Sequence, residues 1–224
     1  MRWRTRSLIA AGLGLASATP ALACSFGQNH MFLRVPTSTT IGGGAIYTLG
    51  DYPVLLFYAN AGIKAGDKVV IAPVIGMCRY EEGTFSETVL AYGASVGFNF
   101  WNDAAGKLSL NAQTGIEMDS FDGGSERNIP IGAALSIKSS DKMSWYAGAA
   151  INMYTIDVDG FGSHSESDPS LYGGATFAMG KTAVSAGVVM FMGDESEFAL
   201  NVKASVPLGG GSNALRKIGS LFRK

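Results

Sequence analysis

About ten segments of the sequence alternate between apolar residues and small or polar residues with a period of two. In segment 197–208, for example, Leu200 and Val202 share one face, while Asn201 and Lys203 lie on the other. A β-strand points successive side chains to opposite sides, so each segment has one apolar and one small or polar face. The second face is mostly Gly, Ala, Ser and Asn, which are too small and uncharged for a typical water-facing surface. The pattern therefore predicts a membrane-spanning β-barrel with an apolar exterior.

The fold class that follows is all-β: a single antiparallel, up-and-down transmembrane barrel of about ten strands, with eight or twelve as the alternatives. The strands are predicted at 40–49, 53–63, 68–79, 88–101, 107–119, 128–138, 143–156, 170–180, 182–192 and 197–208. Most are close to the 9 to 11 residues that a tilted strand needs to cross the hydrocarbon core. The barrel domain is thus predicted to cover residues 40–208.

The predicted connections alternate between short turns rich in lysine and longer, acidic loops. The longest loop is expected between the seventh and eighth strands, and it would hold His164, Glu166 and Asp168. Bacterial barrels have short periplasmic turns and longer external loops, so an even strand count places both ends of the barrel on the periplasmic side. Outward aromatic residues are predicted near the strand ends, as in an interfacial belt. They are Phe98, Phe100, Trp145 and Phe177 on the short-turn side and Phe198 on the loop side.

The two ends of the chain lack the alternating pattern of the predicted strands. Residues 1–23 resemble a cleaved signal peptide, with arginines at the start, an apolar stretch at 7–18 and small residues at 21–23. Residues 24–39 are expected to be a periplasmic segment or one that plugs the lumen. Residues 209–224 form a short, basic, amphipathic tail.

The two cysteines would meet an oxidising compartment after export, so a Cys24–Cys78 disulfide is expected. A competing interpretation is that Cys24 is lipidated, because the residues before it resemble a lipobox. Ala21, however, stands where that motif usually has Leu. A free thiol is the third alternative, and the sequence does not choose among the three.

On alternation, turn pattern and signal peptide, residues 40 to 208 resemble the small outer-membrane β-barrel proteins of Gram-negative bacteria, opacity-type or porin-like. The resemblance is architectural and implies residence in the cell outer membrane. Members of this group usually end on an aromatic residue that serves the insertion machinery. This chain differs, since its last strand ends at Leu208 and sixteen residues follow.

The inward face is predicted to carry polar side chains among many small residues. The candidate lumen-facing residues are Asn99, Glu117, Tyr146, Asn152, Tyr154, Tyr172, Asn201 and Lys203. Ten strands enclose slightly more than the eight whose interior side chains just fill the space. A narrow wet passage and a plugged lumen are both compatible with this composition.

The leading interpretation is a non-enzymatic outer-membrane barrel that acts as a narrow pore or as a structural and surface-interaction element. Its expected partners are membrane lipid, lipopolysaccharide, the barrel-insertion machinery and small solutes, with no nucleic acid, cofactor or metal. One alternative is a soluble periplasmic, lipocalin-like barrel that binds an apolar ligand. A weaker alternative is a hydrolase at the outer rim, for which Asp157, Asp159 and His164 are the available residues.

Overall fold

A computed structural model of the chain describes residues 36, 38–49, 54–82, 85–121, 123–192 and 196–208. Its ten strands are β1 Thr40–Leu49, β2 Val54–Lys64, β3 Val69–Glu82, β4 Phe85–Asn102, β5 Leu108–Phe121, β6 Gly124–Ser140, β7 Met143–Val158, β8 Gly162–Met179, β9 Thr182–Met192 and β10 Ser196–Pro207. Within these residues, no helix is long and apolar enough to cross a membrane.

The strands form one closed barrel in which every strand pairs antiparallel with its neighbours along the chain. The ring closes where β1 pairs with β10, from Thr40 opposite Pro207 to Leu49 opposite Phe198. Closure satisfies the hydrogen bonds of both edge strands, which a membrane-spanning sheet requires. The structure thus confirms the predicted all-β, up-and-down barrel of ten strands.

Tight connections gather at one end of the barrel, called the turn end here, together with the start of β1 and the finish of β10. They link β2 to β3, β4 to β5, β6 to β7 and β8 to β9. In the β6–β7 turn, the Lys138 ammonium lies 2.7 Å from the Asp141 carboxylate. This contact holds the pKa of the Asp141 carboxyl below its ordinary value. The opposite end carries the other connections and is called the far end.

Three connections at the far end are shorter than the sequence predicted, because β4 begins at Phe85, β6 at Gly124 and β8 at Gly162. Residues 162–168 lie in a strand, so the expected long loop there is wrong, as is the expected contrast between short turns and longer loops. Ser and Gly favour loops, but pairing with β7 overrides that weak preference. His164 lies opposite Ile156 in this extended hairpin.

The apolar faces point away from the barrel axis. Leu200 and Val202 are 47% and 52% exposed, whereas the alternating residues Asn201 and Lys203 are only 2% and 8% exposed. A soluble carrier would bury the first pair in its cavity and expose the second to water. The lipocalin-like alternative is therefore wrong, and the apolar outer wall is the surface that meets lipid.

Exposed aromatic side chains collect near both ends of this outer wall. At the turn end, a β-bulge between Asn99 and Trp101 places Phe100 and Trp101 outward in succession. Trp145 and Phe177 are exposed near the same end, and Tyr47 and Phe198 near the far end. Such positions suit aromatic rings at the two membrane interfaces.

Candidate functional site: the barrel lumen

The lumen is the candidate site, and the predicted polar residues lie on its wall. Their side chains have exposures of 0–8% and alternate with the outward apolar residues. These residues are Asn99, Glu117, Tyr146, Asn152, Tyr154, Tyr172, Asn201 and Lys203. They come from β4, β5, β7, β8 and β10, so the set is spread along the wall from β4 to β10 rather than forming one cluster.

Three tyrosines lie against glycines on the neighbouring strand. Tyr58 is paired with Gly44 and Tyr172 with Gly148, while Tyr146 faces Gly174 in the same way. A Cβ atom at Gly148 would lie 2.6 Å from Cζ of Tyr172, so only glycine leaves room for the ring. Tyr172 Oη then donates a hydrogen bond to the carbonyl oxygen of Ala133 at 3.1 Å. These contacts fix large rings flat on the wall and keep them out of the axis.

Carboxylates concentrate on one side of the lumen, towards the far end. Asp119 on β5 lies directly opposite Glu126 on β6, and Glu117 lies opposite Asn128 on the same strand pair. Glu117, Asp119 and Glu126 are 2%, 0% and 1% exposed. We call these three residues the acidic wall. The predicted set of lumen-facing residues included Glu117 but not Asp119, although Asp119 shares the polar face of the same segment, nor Glu126, which was expected in a loop before the strand 128–138.

The other side of the lumen near the far end is apolar. Buried apolar side chains from β1 to β4 and from β9 lie there, in a cluster that also includes residues of the other five strands, such as Phe121 on β5. Ile46, Leu56, Cys78, Val89 and Phe191 belong to it, and we call them the apolar wall. β1, which holds Ile46 of the apolar wall, lies across the ring from β6, so the two sides of the lumen differ in composition near the far end. Sequence reasoning missed this difference because it depends on which strands face each other across the ring.

The lumen also contains hydrogen-bonded amide side chains at the turn end. Asn99 Nδ2 donates to Asn111 Oδ1 at 3.0 Å, and Asn111 Nδ2 donates to Ser109 Oγ at 3.2 Å. All three residues are buried. Polar groups that are satisfied in this way make a stable inner lining at that end.

The rim residues considered for catalysis are not brought together. Asp157 has the outward parity of β7 and Asp159 lies in the turn after it, whereas His164 has the inward parity of β8. The Nε2 atom of His164 lies 2.9 Å from Oε1 of Glu166, and the imidazole is exposed. A nucleophile needs a base and an orienting group within reach of each other, and these three residues do not supply that arrangement. Within the described ranges, no three His, Cys, Asp or Glu residues are grouped so as to hold a metal ion.

Of the two cysteines, Cys24 lies outside the described residues. Cys78 lies on the apolar wall with an exposure of 0%. Its side chain therefore points into the lumen, where a cysteine inside the barrel would be able to reach it. The signal peptide, residues 24–35 and the basic tail also lie outside the described residues.

Solved barrels with similar architecture include the translocator domain of the autotransporter NalP from Neisseria meningitidis. It is 11% identical, with 91% of this chain and 97% of that chain covered and a TM-score of 0.49. Neisserial surface protein A is 13% identical over 75% of this chain and 96% of its own, with a TM-score of 0.39. Ail, the attachment invasion locus protein of Yersinia pestis, is 13% identical over 76% and 95%, with a TM-score of 0.34.

No protein-family model matches the sequence, and no curated protein matches it. The assignment rests on the geometry of this chain: a closed antiparallel wall that is apolar outside and polar inside. It is a transmembrane β-barrel of the outer-membrane type, and the outer membrane is its location.

Proposed function

We propose that this outer-membrane barrel is a non-enzymatic, narrow pore for small solutes, closed at rest by its own residues 24–39. The observation that carries the proposal is the composition of the inner wall. Asn60, Gln113 and Lys203 are buried on that wall with the amide and carboxylate groups described above. Such a lining suits water and polar solutes better than an apolar ligand.

The position of Cys78 in the lumen and the length of chain that precedes β1 support the closed state. Fifteen residues separate Cys24 from Thr40, and in extended form they reach about 50 Å. That is more than the hydrocarbon thickness of about 30 Å. Residues 24–39 are therefore long enough to enter the lumen at the turn end and bring Cys24 to the Cys78 thiol, with which it would form a disulfide.

Conductance in planar bilayers tests this function on the mature chain, residues 24–224. Oxidised protein is expected to conduct rarely, and addition of a thiol reductant is expected to raise the open fraction, because the segment is then held only by non-covalent contacts. Equal conductance in both redox states would contradict the proposal that residues 24–39 close the pore. Absence of conductance in both would favour the second role, a structural or surface-interaction element.

The proposed partners follow from the surfaces. The apolar outer wall binds lipid, and the acidic far end can bind lipopolysaccharide phosphates through bridging divalent cations. The barrel-insertion machinery is a further proposed partner, as for other barrels that reach the outer membrane. A His164→Ala variant is expected to keep the conductance of the parent. If it also leaves every tested hydrolytic activity unchanged, the case for catalysis at His164 is removed.

A further inference from the structure

Nearly all lysines of the described residues lie at the turn end of the barrel. The described ranges hold seven lysines, of which Lys203 lies on the inner wall. The other six, which we call the turn-end lysines, lie in the tight connections or at the strand positions next to them. They are Lys64, Lys68, Lys107, Lys138, Lys142 and Lys181. The same connections hold three aspartates, so six lysines leave an excess of three positive charges there.

Two of these lysines lie in strands, and both have the parity of the inner wall. Lys64 is the last residue of β2 and shares the parity of Asn60, which is buried on the inner wall. Lys138 lies near the end of β6 and shares the parity of the buried Ser136. Each of the two also forms an ion pair with an aspartate of its own turn.

Three further lysines are held at this mouth of the lumen by backbone hydrogen bonds to the next hairpin. The carbonyl oxygens of Lys68, Lys107 and Lys142 accept these bonds at 2.8, 2.7 and 2.7 Å. The donors are the N–H groups of Asn99, Lys138 and Ala178, which lie directly opposite in the continued register of the ladders. Directly opposite residues of an antiparallel pair project to the same face, so these lysines share the inward parity of their partners.

The charges of these three lysines are not balanced by neighbouring carboxylates. Their side chains are exposed, as is that of Lys181 in the β8–β9 turn. Over the described ranges, no carboxylate lies within ion-pairing distance of these four ammonium groups. The positive charge at the turn end is thus carried by exposed groups that solutes can reach.

Neutral polar groups line the wall just inside the turn-end lysines. Thr176 Oγ1 and Ser185 Oγ lie 2.8 Å apart, and the network of Asn99, Asn111 and Ser109 described above belongs to the same end. Hydroxyl and amide groups can donate hydrogen bonds to an anion and carry no charge that repels it. The lining is therefore compatible with an anion at this mouth.

The far end of the lumen carries the opposite charge. The acidic wall lies towards that end on β5 and β6. On β8, Glu166 and Asp168 lie opposite the inward residues Tyr154 and Asn152. A narrow opening lined by one sign of charge and surrounded by a low-dielectric wall raises the local concentration of ions of the other sign. The two mouths are thus expected to attract solutes of opposite charge.

We propose that the six turn-end lysines form a vestibule that attracts small anions, such as phosphate and carboxylates, to this mouth of the lumen. Rings of charged side chains select ions by their sign, and lysine suits anions and phosphate. The inference deepens the proposed pore, because it names the solutes that enter from the turn end. It rests on that function only for the passage of the anions through the barrel.

Cysteine reactivity measures the charge at the mouth without requiring conduction. The reporter is Ser144→Cys in the mature chain that also carries Cys24→Ser and Cys78→Ser. Ser144 is half-buried, has the inward parity of β7 and lies directly opposite Lys138. A negatively and a positively charged methanethiosulfonate reagent are compared, each rate being divided by the rate of the same reagent with 2-mercaptoethanol.

At low salt the negative reagent is expected to react about tenfold faster than the positive one, because an excess of positive charge lies within a few ångströms of the reporter. The preference is expected to fall towards unity at 1 M salt, where the Debye length is about 3 Å. A second reporter, His164→Cys in the same cysteine-free chain, lies at the far end and is expected to prefer the positive reagent.

Two further substitutions in the Ser144→Cys chain separate a local charge from a general one. Lys142→Gln removes an unpaired charge close to the reporter and is expected to lower the preference about threefold at low salt. Arg127→Gln removes the same charge from the exposed outer side of β6 and is expected to leave the preference unchanged. The band shift on a gel before and after heating shows that each variant has folded.

The vestibule is overturned if the Ser144→Cys chain shows no preference at low salt, or if Lys142→Gln and Arg127→Gln change it equally. Failure of both reagents to react also overturns it, since solutes then do not enter this mouth. The reagents need to reach only the turn end, so a barrel that never conducts can still show the preference. That result would remove the proposed pore and keep the vestibule.

Discussion

Tyr58 Oη donates a hydrogen bond to Oδ1 of Asn201 at 3.2 Å, joining β2 to β10 across the strand that lies between them. The ring passes over Gly44 of β1, where a Cβ atom would lie 2.7 Å from the tyrosine oxygen. The contact links side chains on the two strands that flank β1, the strand at which the barrel closes. β1 itself carries Gly42, Gly43 and Gly44 in succession. Glycines supply no cross-strand side-chain pairs, so the link adds stability where pairing contributes least.

We expect Tyr58→Phe to lower the free energy of unfolding by about 1 kcal/mol, since the ring stays and a buried hydrogen bond is lost. Urea unfolding in lipid vesicles, followed by the shift between folded and unfolded bands on a gel, measures the loss. Tyr47→Phe removes the same hydroxyl from an exposed outer position and is the matched control. Equal effects of the two variants would contradict a role for the Asn201 contact.

Gly148→Ala is expected to destabilise the barrel by about 1–3 kcal/mol, because the added methyl group overlaps the Tyr172 ring and forces the wall to shift. Gly173→Ala on the adjacent strand has 3.2 Å to its nearest atom and only contacts near 4 Å beyond that. Its cost is expected to be within about 0.5 kcal/mol. The same unfolding assay separates the two variants, and similar losses would show that the ring does not need the glycine.

The outer wall predicts a dependence on depth in the bilayer. Val202→Arg places a charge in the middle of an outward strand face and is expected to cost about 2–4 kcal/mol of folding free energy in lipid. Val206→Arg, near the turn end of the same strand, is expected to cost about 0–1 kcal/mol. Urea unfolding in vesicles of one lipid composition gives both values. Equal costs would mean that β10 does not cross the bilayer as described.

The cysteine pairing is open to direct measurement. Peptides from the non-reduced mature protein are expected to include one that joins Cys24 to Cys78, and mass spectrometry after reduction should show it split. An acylated Cys24, or two free thiols, would remove the covalent restraint on residues 24–39. A Cys78→Ser variant serves as the control, since it cannot form the joined peptide.

Much of the fold follows from local sequence. Strict alternation, as in Leu200 to Lys203, identifies both the strand and the side that faces lipid, because one physical cause sets both. The far ends of β6 and β8 were harder to predict from the sequence. In β8, for example, Ser163, Ser165 and Ser167 suggest a loop. A period of two was nevertheless present there, with His164, Glu166 and Asp168 on the alternate positions.

The site was predicted less completely than the fold. Parity within a strand predicts that Asn152 or Glu117 faces inward, and both are buried on the inner wall. The position of the acidic wall on β5 and β6, across the ring from β1 and β10, depends on closure of the whole ring. Asp119 and Glu126 become neighbours only through the register of β5 and β6.

Because the strands differ in length, the far end of the barrel is higher on one side of the ring than on the other. β7 and β8 have 16 and 18 residues, whereas β1 and β9 have 10 and 11. About 9–11 residues already cross the hydrocarbon core, so the β7–β8 hairpin, like β3 to β6 beside it, extends beyond the membrane, whereas β1, β2, β9 and β10 end lower. For the pore proposed above, a solute diffusing along the cell surface is expected to enter from the low side, over β1, and an antibody against the β7–β8 hairpin is expected to bind without covering the opening.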